Sequence, residues 1–267
     1  TLPLLRELVK ETGAAALYCS RQYEPWAAHL ERSVHDAMSD QEVTYKRFPG
    51  TLLFEPEAIS TQNGSPFKVF TPFWRKCCSE ASPAPIKDIP DDITWFSGEL
   101  PGARLEDWQL QPTDPDWASQ WREWWHPGSD GAVRRLGQFF DGSIGNYDRG
   151  RNYPALDDTT RLSPHLHFGE VSPRQVWHAA KGHGRSNPGH DKQVDKFLSE
   201  LGWREFSYHL LHHFPDIPDE PFREQFSRFP WLGSPKSLRA WQRGETGYPL
   251  IDAGMRELWQ TGYMHNR

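Results

Sequence analysis

Apolar positions along the chain change their period several times, and each change marks an element. Leu4, Leu5, Leu8 and Val9 have helical spacing, which predicts a helix over 2–10 that Thr12-Gly13 stops. Residues 14–19 then form an apolar run of strand length. A second helix is predicted over 24–38, strand-like residues at 43–45, and a buried turn or strand at Thr51-Leu52-Leu53-Phe54. A helix–strand–helix–strand order implies a parallel sheet. Residues 75–115 show no period and are broken by recurring prolines, as a linker would be. From Trp117 onward the pattern is helical. Trp121, Trp124 and Trp125 are expected on one face, and so are Leu136, Phe139 and Phe140. Ser163-Pro164, Ser172-Pro173 and Ser234-Pro235 each place a small polar cap before a proline in the first helical position. Gly247-Tyr248-Pro249 opens a further helix with Leu250, Ile251, Met255, Leu258 and Trp259 expected inward, and Gly262 closes it. There is no internal repeat and no low-complexity tract.

Composition adds one anomaly, the 13 tryptophans in 267 residues. Large rings can build a core, stack on flat ligands or relay electrons, and for any single one core packing is the commoner use. The net charge of −6 speaks against a strongly basic nucleic-acid domain, but it is unevenly spread. Residues 1–146 carry 14 Lys+Arg against 21 Asp+Glu, whereas 147–267 carry 16 against 15. A DNA face is therefore expected as a local patch in the second half. Cys19, Cys77 and Cys78 have no metal-binding spacing, and an odd count without a signal segment suggests a reducing, cytoplasmic setting. No apolar run reaches the ~20 residues that cross a membrane. Neither Thr1 nor Arg267 reads as a natural terminus.

Two constellations could carry chemistry, each with a plain structural counterpart. Thr159-Thr160-Arg161-Leu162-Ser163 gathers hydroxyls and a cation before a proline-opened helix, either a pyrophosphate site or an ordinary capped turn. Glu200, Trp203 and Arg204 stand at i, i+3 and i+4, so one helix face presents a carboxylate, a ring and a guanidinium. That face either recognises a flat, hydrogen-bonding ligand or is an ion pair over a packed Trp. His209, His212 and His213 have helical ligand spacing but no further ligand, so no metal is expected, and His165 and His167 read the same way. Nothing points to a Ser-His-Asp nucleophile.

Five ordered blocks resemble the DNA photolyase/cryptochrome family over essentially the whole chain. They are Arg21-Gln22-Tyr23-Glu24-Pro25, the stretch Phe67 to Trp74, TTRLSPHLHFGEVSPRQVW from Thr159, ELGWREFSYHLL from Glu200, and TGYPLIDAGMRELW from Thr246 running on to Met264-His265-Asn266-Arg267. The wording is most similar to bacterial class I-type cyclobutane pyrimidine dimer photolyases, shortened at both ends. The resemblance implies a partial α/β antenna domain with a parallel sheet over 1–74, a linker over 75–116, and an incomplete all-helical FAD-binding domain over 117–267. It implies FAD contacts at Tyr147, Thr159, Thr160, Arg161, Leu162, Ser163, Glu200, Arg204 and Asn266. Glu200 and Trp203 match the residues that hold a flipped-out pyrimidine dimer, and Asn266 matches the residue facing the flavin N5. Trp231 matches the solvent-side member of a tryptophan relay. Arg151, Glu200, Trp203, Asn266 and Arg267 are implied to meet DNA. The activity implied is light-driven repair of cyclobutane dimers, in single- or double-stranded DNA, by electron transfer from reduced FAD, in a monomer that associates with the nucleoid. The rival is a cryptochrome, a blue-light photoreceptor without repair, and a third reading is a remnant that binds no flavin. A second, antenna chromophore is implied, with folate, deazaflavin and flavin all open.

Overall fold

The structure, a computed structural model, describes residues 2–80, 82–100 and 102–266. In chain order the helices and strands are α1 (Leu2–Thr12), β1 (Ala16–Ser20), α2 (Pro25–Ser39), β2 (Thr44–Phe48), α3 (Phe70–Glu80) and α4 (Ser129–Gly142). Then come α5 (Tyr147–Gly150), α6 (Ser163–His167), α7 (Pro173–Ser186), α8 (Asp191–His213), α9 (Pro235–Arg243) and α10 (Pro249–Thr261). The chain divides into two compact units, one of Thr1–Pro101 with Leu166–Phe222, the other of Gly102–His165 with Arg223–Arg267. These units cut the chain elsewhere than at the boundaries expected from the sequence. Residues 82–100, expected as linker, form no helix or strand, and nearly all are exposed.

The first unit holds the expected parallel sheet. β1 and β2 pair from Ala16 opposite Thr44 to Ser20 opposite Phe48, with α2 as the crossover. Pro25 opens α2 with its φ already helical. Val34, Ala37 and Met38 of α2 pack with Val9 of α1 and Val43 into an apolar cluster that Leu17 and Tyr45 join. The 51–54 segment is buried but is not a strand, because no neighbouring strand takes up its backbone groups. Instead the Glu205 carboxylate accepts the N–H groups of Leu53 (2.7 Å) and Phe54 (3.2 Å). α8, 23 residues long, buries Val194, Phe197, Leu198, Leu201, Glu205, Phe206 and His209, a stripe at helical spacing. α3 lies so close to it that a methyl group on Gly202 would come within 2.5 Å of the Trp74 ring. Ser172 and Gln175 form a reciprocal cap on α7, as the Ser-Pro signal promised.

In the second unit α4 buries Ala132, Leu136 and Phe139. The tryptophans before it do not share one helical face. The local element is a short 3-10 turn over Ser119–Glu123, which leaves Trp124 exposed. Trp121 and Trp125 instead donate their indole N–H groups to the carbonyls of Trp259 (3.2 Å) and Thr261 (2.6 Å) at the end of α10. Ser234 caps α9 through the Ser237 N–H, and Gly262 closes α10 in the left-handed region at φ 72°. The rotation of α10 differs from the expected one. Met255 is buried, but Leu250, Ile251, Leu258 and Trp259 are exposed. Asp252 faces inward in their place. Its carboxylate accepts from the Thr246 N–H and hydroxyl and from the Gly247 N–H, at 2.8, 2.6 and 2.9 Å. Those bonds hold it below its ordinary acidity range and do the capping that Tyr248 does not.

Candidate functional site

In the second unit the candidate anion site is a loop between α5 and α6. Leu162 is buried and Ser163, the first residue of α6, is exposed. Arg161 sits at φ 49°, a left-handed conformation that costs an arginine about 1 kcal/mol and persists only where neighbours enforce it. Thr160 supports the turn by accepting the Leu162 N–H on its hydroxyl (3.4 Å), and the Thr159 hydroxyl lies 3.3 Å from the Tyr263 hydroxyl. The Arg161 guanidinium stands over the Tyr263 ring at 4.6 Å. Its buried Nε lies 3.1 Å from Asp157 Oδ1, yet it is not aligned to make a hydrogen bond. Burial pulls the Asp157 carboxyl upward, but its bond to Arg135 and the charges of Arg135 and Arg161 outweigh this and hold it below its ordinary value. Arg134, Arg135 and Arg161 line a cavity of about 350 Å³ with Trp124, Trp125 and Asp157. The hydroxyls of Thr159, Thr160 and Ser163 lie outside the lining of that cavity, and with the Arg161 guanidinium they form a set suited to a phosphorylated ligand on the loop itself.

Tyr147 is buried edge-on against Phe139, with the Arg151 guanidinium 5.6 Å from its ring. Arg151 is only 6% exposed. It therefore packs inside this unit, and that burial does not suit the phosphate contact expected of it. Asn266 is exposed, and Arg267 lies outside the described residues. Trp231 is 83% exposed, its ring tilted on Phe229 at 4.7 Å.

The second constellation is on α8, in the first unit. Trp203 stacks on Phe70, ring centres 3.7 Å apart and planes 10° from parallel, yet the residue remains 47% exposed. One face of the indole is thus fixed and the other is open. Glu200, one turn earlier, is half-buried, and Lys196 approaches it at 3.9 Å. Arg204 is engaged within its own unit. It donates to the Thr51 carbonyl at 2.7 Å and to Glu205 at 3.2 Å, and lies over the Tyr208 ring at 5.0 Å. His209 is buried and accepts the Phe67 N–H at 3.1 Å, and no group of three or more metal-ligating side chains occurs among the described residues.

Comparison with known proteins gives this arrangement a context. Residues 1–91 match the DNA photolyase family, and residues 197–267 match the FAD binding domain of DNA photolyase, together more than half of the chain. The deoxyribodipyrimidine photo-lyase of Agrobacterium fabrum is 42% identical over 268 residues, 99% of this chain and 55% of that protein. A crystal structure of a bacterial class III photolyase from Agrobacterium tumefaciens matches with a TM-score of 0.95 at 41% identity, covering all of this chain and 55% of its own. The chain belongs to the photolyase/cryptochrome family. It spans about half the length of the curated relatives it matches, and Cryptochrome-1 of Arabidopsis thaliana is among them at 32% identity, with 98% of this chain and 39% of that protein covered.

As a photolyase/cryptochrome chain it carries two functional candidates that the motifs did not expose. Arg135, on α4, donates to the Thr159 and Thr160 carbonyls, and Glu205 ties α8 to the 51–54 segment. Arg135 could have been suspected as a cation next to the buried positions Ala132 and Leu136, aimed across a turn rather than into water. For Glu205 the sequence held no signal beyond a carboxylate placed inside an apolar stripe. Among the described residues no helix is long and apolar enough to cross a membrane.

Proposed function

We propose that the full-length protein is a deoxyribodipyrimidine photo-lyase that uses light to split cyclobutane pyrimidine dimers in DNA. The observation that supports this most directly is the pair on α8, an indole with one face pinned by Phe70 and the other open, one turn from a half-buried carboxylate. A dimer swung out of the duplex costs a few kcal/mol in lost stacking, less than an intact pair. Trp203 returns about 1–3 kcal/mol of that by stacking on it. Glu200 accepts hydrogen bonds from the polar edge of the dimer, which undamaged stacked bases do not present. Asn266, exposed near the end of the chain, offers an amide that both donates and accepts.

The residues fit FAD as the cofactor. Thr159, Thr160, Arg161 and Ser163 supply hydroxyls, a cation and the unmatched Arg161 Nε for its diphosphate, and Tyr147 and Leu162 supply apolar walls. Glu200, Arg204 and Asn266 are proposed as further FAD contacts on the strength of the family motifs alone. Bound reduced FAD supplies the light-absorbing group and the electron that opens the cyclobutane ring and afterwards returns. The exposure of Trp231 suits the outer end of an electron relay. On this proposal 1–74 is the antenna domain, 75–116 the linker and 117–267 the flavin domain, with folate, deazaflavin or flavin as second chromophore.

The test is to incubate flavin-loaded protein with a dimer-containing oligonucleotide, illuminate it with blue light and assay restored thymines. The expected outcome is repair that requires light and reduced flavin. Flavin-loaded protein that restores no thymines in the light would move the assignment to the cryptochrome branch.

A further inference from the structure

We infer that Arg135 is a positioning residue that shapes the Thr159–Arg161 loop into a receptor for the diphosphate of FAD, an inference that rests on the flavin reading above. Its guanidinium donates from Nε to the Thr160 carbonyl at 3.1 Å and from Nη2 to the Thr159 carbonyl at 3.2 Å. The same Nη2 donates to Asp157 Oδ1 at 2.6 Å. One planar fork thus holds two consecutive carbonyls and a carboxylate, which a lysine's single ammonium cannot do with fixed geometry. In a trans peptide the N–H points away from the C=O. With the carbonyls of 159 and 160 turned toward Arg135, the N–H groups of Thr160 and Arg161 are directed to the opposite side. Among the described residues neither N–H donates a hydrogen bond.

Two adjacent unmatched N–H groups, the second belonging to the left-handed Arg161, have the character of an anion-binding backbone concavity. Asp157 contributes by standing between Arg135 and Arg161, so that both cations are held at the loop. Arg135 itself does not touch the ligand. It acts by keeping the loop's acceptors occupied and its donors outward, in a conformation that Arg161 would otherwise leave.

The test uses full-length protein carrying Arg135→Gln and, separately, Arg135→Lys. FAD affinity is measured by flavin fluorescence on reconstituting apoprotein, and the diphosphate is followed by 31P NMR of the bound cofactor. Arg135→Gln is expected to weaken FAD binding about tenfold, the worth of about one net hydrogen bond, and to shift the 31P resonances. Arg135→Lys should fall between Gln and wild type in both readouts. A purely structural role would lower the melting temperature without moving the 31P spectrum of protein that still binds FAD. Wild-type affinity and 31P shifts in the Gln variant overturn the inference. Should that variant not fold, the same result in Arg135→Lys overturns it. Wild-type apoprotein that takes up no FAD overturns the flavin reading too, and shows this before any substitution is made.

Discussion

A carboxylate inside an apolar helix stripe has to be matched by donors, and at Glu205 two of them come from Leu53 and Phe54, more than 150 residues earlier. Burial is the largest influence on this group. It pushes the carboxyl up to about 7 against the lowering effect of Arg204 and the two N–H groups. The folded chain therefore holds a proton that the unfolded chain, near 4.5, has already lost. Stability from this site is full below about 4.5 and is lost as pH rises through about 7. Glu205→Gln should abolish that decline, worth about 3 kcal/mol at most, in denaturant midpoints taken from pH 5 to 8. A variant that keeps the wild-type slope assigns the titration to another group. His209 works in the opposite sense. Burial, then His213 and His212, lowers it to about 4, so its contribution is lost as pH falls below its ordinary 6.5.

At the scale of elements, local signals were the legible ones. The helix starts at Ser172-Pro173 and Ser234-Pro235 and the stop at Gly262 depend on neighbours in sequence, and each was readable. What was not readable depends on distant partners. Leu250, Ile251, Leu258 and Trp259 form an apolar stripe, but Asp252 and its three donors set the rotation of α10, and a carboxylate in a pattern is read as outward. At the candidate site the Glu200–Trp203–Arg204 spacing placed three side chains on α8. It could not tell that Arg204 bonds Thr51 while Trp203 stays open. The α3–α8 contact is of the same unreadable kind, because Gly202 is there for a ring 128 positions earlier. Trp74 is wedged edge-on against Trp177 at 6.0 Å, so it cannot yield easily to a new methyl group at 2.5 Å. Gly202→Ala should destabilise the protein by about 1–3 kcal/mol, although alanine is the better helix former. Urea unfolding would show it, and an alanine variant as stable as wild type would mean that α3 shifts freely.

For the whole molecule, the stretches without helix or strand over 82–100 and 227–234 are nearly all exposed, which leaves their backbone poorly protected. Limited trypsin treatment should cut first after Lys87 and Arg228, before the sites inside α2, α4 and α8, with product masses read by mass spectrometry. First cleavage within α8 would contradict this. The first compact unit has another property, that its chain is discontinuous, with Leu166–Phe222 joining Thr1–Pro101 across an intervening segment. On a ribosome adding about 5–20 residues per second, Phe54 would emerge roughly 8–30 seconds before Glu205, the residue that satisfies its N–H. During that interval the nascent chain carries Leu52, Leu53, Phe54 and Phe73 with no α8 to cover them. Synthesis of this protein therefore includes an interval in which the 51–54 segment and Phe73 exist without the helix that supplies Glu205 and Phe206 to them.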